Sequence, residues 1–100
     1  MKSRKEIIDL LKANASELYS RFGITSMRLF GSVASGTNRE DSDVDLLVEM
    51  PASFHHACDA ADYLESLLGC SVDLIRNHGH LQPSFLKMIE KYGIDIYSAA

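Results

Sequence analysis

An α/β sandwich with a small mixed β-sheet is the fold that the sequence predicts, and two observations support it. Segments with apolar residues at helical spacing alternate with short apolar or β-branched runs, in the order α-β-(short α)-β-α-β-α-β. The chain has no internal repeat, low-complexity tract or linker that would divide it. We therefore expect residues 1–100 to form one domain with a single modest core.

The first helix is predicted to run from the residues after Ser3 to Phe22. Ser3 and Glu6 form an S-x-x-E capping box, in which side chains satisfy free backbone amides at a helix start. Apolar residues then recur at helical spacing as far as Phe22, and Gly23 supplies a natural stop. This pattern indicates one continuous helix.

Two strands are predicted on either side of a short helical turn and a polar loop. Thr25–Phe30 is short and partly β-branched or apolar, and Ser32–Ser35 has the length of one helical turn. Gly36 and the polar residues after it indicate an exposed loop. Val44–Val48 is apolar except for Asp45, as expected of a strand that is buried on both faces.

The second half of the chain repeats the alternation of helix and strand. A helical pattern lies between Ser53, a candidate N-cap, and Gly69, a stop. Another helix begins at Pro83, which suits a first turn, and is closed by Gly93. The remaining segments are two strands and a loop rich in glycine and histidine: Ser71–Arg76, Ile94–Tyr97 and Asn77–Gln82.

Charge, apolar runs and cysteines indicate which binding partners and which cellular compartment to expect. The net charge of -4 and the pI near 5.4 argue against a large nucleic-acid footprint, which needs basic residues. No run is apolar for long enough to span a bilayer, so no membrane association is expected. Cys58 and Cys70 lie within apolar patterns, and we expect buried, reduced thiols of a cytoplasmic protein. A structural disulfide is the alternative.

Two carboxylates stand at the entry to the second strand. Asp43 and Asp45 are two residues apart, so their side chains point to the same face and can converge. Close carboxylates repel unless a proton or cation lies between them, and hard oxygen ligands select Mg²⁺ or Mn²⁺. The alternative is a polar turn, as we expect for Asp41. Asp45 argues against that alternative because an unpaired charge inside an apolar strand is costly.

Asp73 is the candidate third acid, and it too is isolated within an apolar strand that we expect to be buried. If the two strands are neighbours, Asp43, Asp45 and Asp73 meet and could hold one or two metal ions. Such a centre clamps the attacking and leaving oxygens of phosphoryl or nucleotidyl transfer. Asp73 could also act as general base towards an attacking hydroxyl.

A glycine-serine pair precedes the acids at a fixed spacing. Gly31 allows a ligand to approach the backbone, and the Ser32 hydroxyl and nearby amides can donate to phosphate oxygens. The pair alone is an ordinary strand-to-helix turn, and the chain has no GxxxxGK[ST] motif. Together, Gly31, Ser32, Asp43 and Asp45 match G-S-x10-D-x-D without gaps. This spacing resembles the signature of the DNA polymerase beta-type nucleotidyltransferase superfamily.

The whole stretch LFGSVASGTNREDSDVDLLVE closely resembles the minimal nucleotidyltransferase (MNT) family. That resemblance implies the polymerase-beta-type nucleotidyltransferase fold over the full length of the chain. It implies that Gly31 and Ser32 hold a triphosphate and that Asp43, Asp45 and Asp73 bind Mg²⁺. Arg39 matches a frequent arginine of the loop and would contact phosphate. Ser35 departs from the family, in which many members carry arginine, so one fewer positive charge is expected near the triphosphate.

The resemblance also implies a partner and a reaction. Members of the family act as antitoxins of toxin–antitoxin modules by transferring AMP from ATP onto a tyrosine of a HEPN-domain toxin. We therefore expect a Mg²⁺-dependent protein adenylyltransferase that forms a hetero-oligomer with a HEPN protein from a neighbouring gene. The alternative, from another class, is a binding module with a weak or unused nucleotide site that neutralises its partner by contact.

Four histidines invite a zinc interpretation that the sequence does not favour. His55 and His56 are adjacent, while His78 and His80 lie in a loop, and no cysteine stands at zinc-finger spacing from either pair. We expect them to be solvated. Because His78 and His80 follow the Asp73 strand, a position at the rim of a nucleotide pocket is an open alternative.

Overall fold

The computed structural model describes residues 1–98, which form five helices and four strands. In chain order the elements are α1 (Arg4–Ala13), α2 (Ala15–Phe22), β1 (Ser26–Phe30), α3 (Gly31–Ser35), β2 (Val44–Glu49), α4 (Phe54–Leu68), β3 (Val72–Arg76), α5 (Pro83–Tyr92) and β4 (Ile94–Ser98). Within this part of the chain, no helix has the length and apolar character needed to cross a membrane.

The strands form one mixed sheet in the order β3-β2-β1-β4. β1 is antiparallel to both of its neighbours, β2 and β4. β2 and β3 are parallel, and α4 makes the crossover that a parallel pair requires. The predicted α/β class with a small mixed sheet is therefore confirmed.

Helices cover both faces of the sheet, and strand alternation decides which residues meet each layer. On one face, Val44, Leu46 and Val48 of β2 belong to the main core together with α1, α2 and α4. On the other face, Leu47 belongs to a smaller cluster built around α5. The members of that smaller cluster are Phe30, Leu47, Ile75, Leu81, Phe85, Leu86 and Ile89.

The predicted first helix is in fact two helices that meet at Asn14, so the expectation of one continuous helix was wrong. The side-chain amide of Asn14 donates to the Leu10 carbonyl at 2.8 Å and accepts from the Tyr63 hydroxyl at 3.1 Å. A side chain that bonds a backbone carbonyl competes with the helical ladder. The break turns α2 towards α4, which apolar spacing alone cannot reveal.

Two burial predictions also need correction. β3 was expected to be a buried strand, but it lies at the sheet edge, where Asp73 is exposed. An edge strand is paired on one side only, and its side chains are correspondingly less covered. Cys58 was expected to be buried and is exposed, while Cys70 is half-buried. Both cysteines are free thiols, as predicted.

Arg28 of β1 fixes α5 on its face of the sheet. The guanidinium donates to the carbonyls of Ile89 at 3.2 Å, Glu90 at 2.8 Å and Gly93 at 3.3 Å. These carbonyls lie at the C-terminal end of α5, where a positive charge is favoured, and the Ile89 carbonyl also accepts from the Gly93 amide at 2.7 Å.

Candidate active site

The three predicted acids lie at one end of the sheet, around the start of β2. Asp45 stands opposite Phe30 of β1 on one side and opposite Asp73 of β3 on the other. Asp43 comes two residues before Asp45, immediately before β2 begins. Since Asp45 and Leu47 share a face, Asp45 and its partner Asp73 lie on the face that α5 covers. The parallel pairing of β2 with β3 therefore brings the predicted acids together.

The electrostatics of Asp45 reflect this arrangement. Asp45 is half-buried, and burial raises the pKa of its carboxyl, with the charge of Asp73 and then that of Asp43 adding to the rise. Each effect disfavours the ionised form. A bound cation would reverse the balance because it attracts all three carboxylates.

The three carboxylates suit a cation that keeps water or phosphate oxygens among its ligands. Among residues 1–98, no group of three or more His, Cys, Asp or Glu side chains is gathered tightly enough to enclose a metal ion. The acids supply hard oxygen atoms in an incomplete set, and Mg²⁺ characteristically retains waters and substrate phosphates beside one or two carboxylates. The residues present therefore fit Mg²⁺ shared with a phosphate better than a closed structural metal site.

Gly31 packs directly against the central acid. It follows Phe30, the register partner of Asp45, and has a φ of 76°. A Cβ built on Gly31 would overlap the Asp45 carboxylate, with Cγ only 3.0 Å away. Only glycine combines this left-handed backbone with the space that the carboxylate occupies. Ser32, the next residue, lies in the first turn of α3.

The segment between Ser32 and Asp43 folds by local bonds. The Thr37 amide donates to the Ser32 carbonyl at 2.9 Å, and the Ser35 hydroxyl reaches the same carbonyl at 3.2 Å. Further along, the Arg39 amide donates to the Ser42 hydroxyl at 2.7 Å. Arg39 is exposed on this loop, between the glycine-serine turn and the acids. Ser35, the last residue of α3, thus makes a neutral hydrogen bond. An arginine at this position would add a positive charge.

The sequence model of the nucleotidyltransferase domain family matches residues 8–96 of the chain. The chain belongs to this family. Its glycine-serine turn and its acids thus belong to a nucleotidyltransferase enzyme, as the spacing G-S-x10-D-x-D predicted.

Relatives and solved structures agree with this assignment. The protein adenylyltransferase MntA of Thermococcus cleftensis is 44% identical over 78 residues, which cover 75% of this chain and 78% of that protein. A solved structure described as a candidate minimal nucleotidyltransferase is 32% identical, with a TM-score of 0.76, and covers 93% of this chain and 95% of that one. The predicted membership of the MNT family is confirmed.

Two solved complexes share the fold at lower identity. A toxin–antitoxin crystal structure with AMP-PNP has a TM-score of 0.67 at 23% identity, covering 98% of this chain and 75% of the other. A complex of an AMPylated Shewanella oneidensis HEPN toxin with its MNT antitoxin has a TM-score of 0.58 at 20% identity, covering 96% and 70%. The two complexes and this chain thus share the nucleotidyltransferase fold.

The histidines lie apart from the acids of this nucleotidyltransferase. His55 pairs with Asp59 at 3.2 Å on the exposed surface of α4. His78 accepts a hydrogen bond from the His80 amide at 3.0 Å, in a loop that leaves β3 at the end away from Asp73. All four histidines are exposed, as predicted.

The sequence did not single out the aromatic contact beside the acids. The rings of Phe30 and Phe85 meet edge to face, with centroids 5.6 Å apart. This pair joins α5 to the strand position opposite Asp45. The period-2 alternation of β1 places Arg28 and Phe30 on one face and could have indicated a second, smaller core there. Nothing in the sequence pointed to Phe85 as the partner.

Proposed function

We propose that this nucleotidyltransferase is a Mg²⁺-dependent protein adenylyltransferase that transfers AMP from ATP to a tyrosine of a HEPN-type toxin, and so acts as an antitoxin. The observation that carries the proposal is the meeting of Asp43, Asp45 and Asp73 beside the Gly31 turn. The adenylyltransferase name of a relative that is 44% identical supports the reaction. The AMP-PNP and HEPN complexes that share the fold support the nucleotide and the partner.

Each residue has a distinct task in the proposed reaction. Gly31 and Ser32 hold the triphosphate, with Arg39 as a further phosphate contact, while Asp43, Asp45 and Asp73 hold the metal. When bound, Mg²⁺ would offset the charge that develops on the phosphate oxygens.

The transfer step is an in-line displacement. The tyrosine oxygen attacks the α-phosphorus, and its proton passes to the Asp73 carboxylate as general base. The bond from the α-phosphorus to the oxygen bridging to the β-phosphate breaks, and pyrophosphate leaves. Asp73 suits this role because it is exposed on an edge strand, where a hydroxyl of another protein can reach it.

We also infer where the reaction takes place and with which partner. Residues 1–100 act as one minimal nucleotidyltransferase domain, in line with the matched range 8–96. The acceptor comes from a HEPN protein encoded by a neighbouring gene, in a cytoplasmic hetero-oligomer. Neither a nucleic acid nor a membrane takes part.

The test is transfer of label from α-labelled ATP with Mg²⁺ to the protein encoded by the adjacent gene. We expect labelled tyrosine on that partner and no label with EDTA. Asp43→Asn should lower the rate by at least about 10²-fold, since metal binding contributes several kcal/mol. Asp41→Asn is the matched control because it removes the same charge from an exposed neighbour outside the site.

The experiment also separates transfer from neutralisation by contact. Toxin inhibition that persists in Asp43→Asn and Asp45→Asn, without label on the partner, would establish the binding-module alternative instead. Toxin inhibition that follows labelling across the variants supports the enzyme.

A further inference from the structure

The loop between Gly36 and Ser42 needs a fixed position because it joins the glycine-serine turn to Asp43. Its own bonds are local turns, such as the 3.1 Å bond from the Ser42 amide to the Arg39 carbonyl. Of the hydrogen bonds that residues 36–42 make within the described chain, those reaching beyond residues 32–42 go to Met1. The position of this loop within the fold therefore depends on its contacts with Met1.

Met1 contacts the middle of the loop. Its side chain is 3% exposed and packs against the main core, and its sulfur accepts a hydrogen bond from the side-chain Nδ2 of Asn38 at 3.3 Å. The Met1 amine also pairs with Glu40 at 2.8 Å. Glu40 is 89% exposed, so that ion pair contributes little, and the buried thioether is the stronger hold.

Arg4 contacts the end of α3, immediately before the same loop. Its guanidinium donates to the Ala34 carbonyl at 2.9 Å in a partly buried position. Ala34 lies in the last turn of α3, where carbonyls lack a partner within the helix and a cation is favoured. Nη1 of the same guanidinium is 4.0 Å from the position that a Cβ on Gly36 would occupy.

We propose that Met1–Arg4 is a strap that positions the α3–β2 loop, so that the nucleotide site is formed before ATP arrives. This inference rests on the proposed function, in which the loop links the phosphate-binding turn to the metal-binding acids. Arg4 is a positioning residue, acting through the Ala34 carbonyl. A strapped loop loses less conformational freedom on binding, which improves nucleotide affinity rather than the transfer step itself.

The deciding variant is Arg4→Gln, compared with Lys5→Gln. Both remove one positive charge from the first turn of α1, but Lys5 pairs with Asp9 on the exposed side at 2.7 Å. Arg4→Lys should restore part of the effect because it keeps a charged donor. Asn38→Ala tests the Met1 contact from the loop side.

Two measurements test whether Met1–Arg4 positions the loop. Circular dichroism verifies that each variant folds. In the nucleotide-free protein, amide exchange over residues 36–42 should accelerate about tenfold in Arg4→Gln and stay unchanged in Lys5→Gln. With Mg²⁺, the dissociation constant for a non-hydrolysable ATP analogue and the KM for ATP should rise about five- to tenfold in Arg4→Gln, with kcat within about twofold.

The outcomes distinguish the strap from the proposed function. Equal exchange in Arg4→Gln and Lys5→Gln refutes the strap, and so does faster exchange without weaker nucleotide binding. A lower kcat at unchanged KM would also overturn the inference, since positioning acts on binding. Failure of the unaltered protein to bind the analogue refutes the proposed function instead.

Discussion

Gly31 and Asp45 are the two residues whose contact defines the candidate site. Gly31 has a left-handed backbone, and the place of its missing side chain is taken by the Asp45 carboxylate. Asp45 in turn is half-buried beside Asp73 and near Asp43. The site thus combines two uncommon local features, a left-handed backbone that glycine adopts without strain and crowded negative charge. Such features are common where binding or catalysis requires them.

Gly31→Ala should cost more than a left-handed backbone alone explains. A positive φ costs alanine about 1 kcal/mol, and here the new Cβ also overlaps the Asp45 carboxylate. We expect about 2 kcal/mol of lost stability and at least about tenfold weaker nucleotide binding. Gly69→Ala is the matched control, with a φ of 70° and only the Lys2 amine 3.7 Å away. Equal losses in chemical denaturation would contradict the role of the Asp45 contact.

Asp45→Asn should stabilise the metal-free protein while abolishing transfer. The pKa of Asp45 is raised above its ordinary value near 3.8, first by burial and then by Asp73 and Asp43. The folded state therefore holds the proton more tightly, and the contribution of Asp45 to stability falls as pH rises from 3.8 through the raised pKa.

Above that window, replacing the charge with an amide should raise stability by about 0.5 kcal/mol, or Tm by about 2–4 °C. The figure is small because water still reaches the carboxylate. The measurement is thermal unfolding in EDTA at pH 7 and at pH 3, where the gain should disappear. Asp41→Asn, on the exposed loop, should change Tm little at either pH.

At the scale of elements, the hydrogen bonds of Asn14 and Arg28 each join different elements of the fold. Asn14 separates α1 from α2 and receives the Tyr63 hydroxyl from α4, so three helices meet at one amide. Arg28 binds the end of α5 from within β1. Each contact joins elements that are far apart in the sequence.

Tyr63→Phe should lower the free energy of unfolding by about 1 kcal/mol, since it leaves the side-chain Oδ1 of Asn14 without its donor. Combined with Asn14→Ala, the loss should be less than additive, with a coupling of about 0.5–1 kcal/mol in urea denaturation. Tyr92→Phe, at a tyrosine that is 65% exposed, serves as the control and should be neutral. Strict additivity would exclude the proposed link between α4 and the helix break.

Arg28→Met should cost about 1–2 kcal/mol because the carbonyls of Ile89, Glu90 and Gly93 lose a charged donor together. Arg28→Lys should recover only part of this, since an ammonium cannot reproduce the planar fork of donors. Lys87→Met, at an exposed position of α5, controls for the removal of charge. Denaturation midpoints measure all three, and equal midpoints for Arg28→Met and Lys87→Met would contradict the capping role.

At the scale of the whole molecule, helices lie on both faces of the sheet, and Cys58 and Cys70 are free thiols. A reducing agent should therefore leave Tm unchanged. At neutral pH, iodoacetamide should modify Cys58 about tenfold faster than Cys70, because Cys58 is exposed while burial raises the pKa of the Cys70 thiol. Cys58→Ser, monitored by mass spectrometry, isolates the slower reaction. A fall in Tm on reduction would indicate that the two cysteines pair.

The topology of the molecule also separates two regions of one sheet face. α5 crosses this face, with the acids near the start of β2 on one side of it. A groove of about 330 Å³ lies on the other side, lined by residues such as Ser26, Glu49 and Asn77. This groove is therefore distinct from the acids, of which Asp45 is half-buried on the inner strand β2, while Asp43 and Asp73 are exposed.

The sequence by itself determined the class of fold, the order of elements and the identity of the acids. Caps and stops such as Ser3, Ser53 and Gly69 act within a few residues of where they stand, so their effects can be read locally. The spacing from Gly31 to Asp45 works in the same way, because it is contained in α3, one loop and the start of β2. The roles of Gly31, Ser32, Arg39 and the acids in binding stay predictions until they are measured.

Only the tertiary structure decided which distant residues meet. It paired Asp45 with Asp73, exposed β3 at the edge, divided the first helix at Asn14 and brought Arg4 to the Ala34 carbonyl. The physical reason is that each of these contacts depends on the order and direction of strands or on the packing of helices. Such long-range geometry leaves no periodic trace in the residues that take part in it.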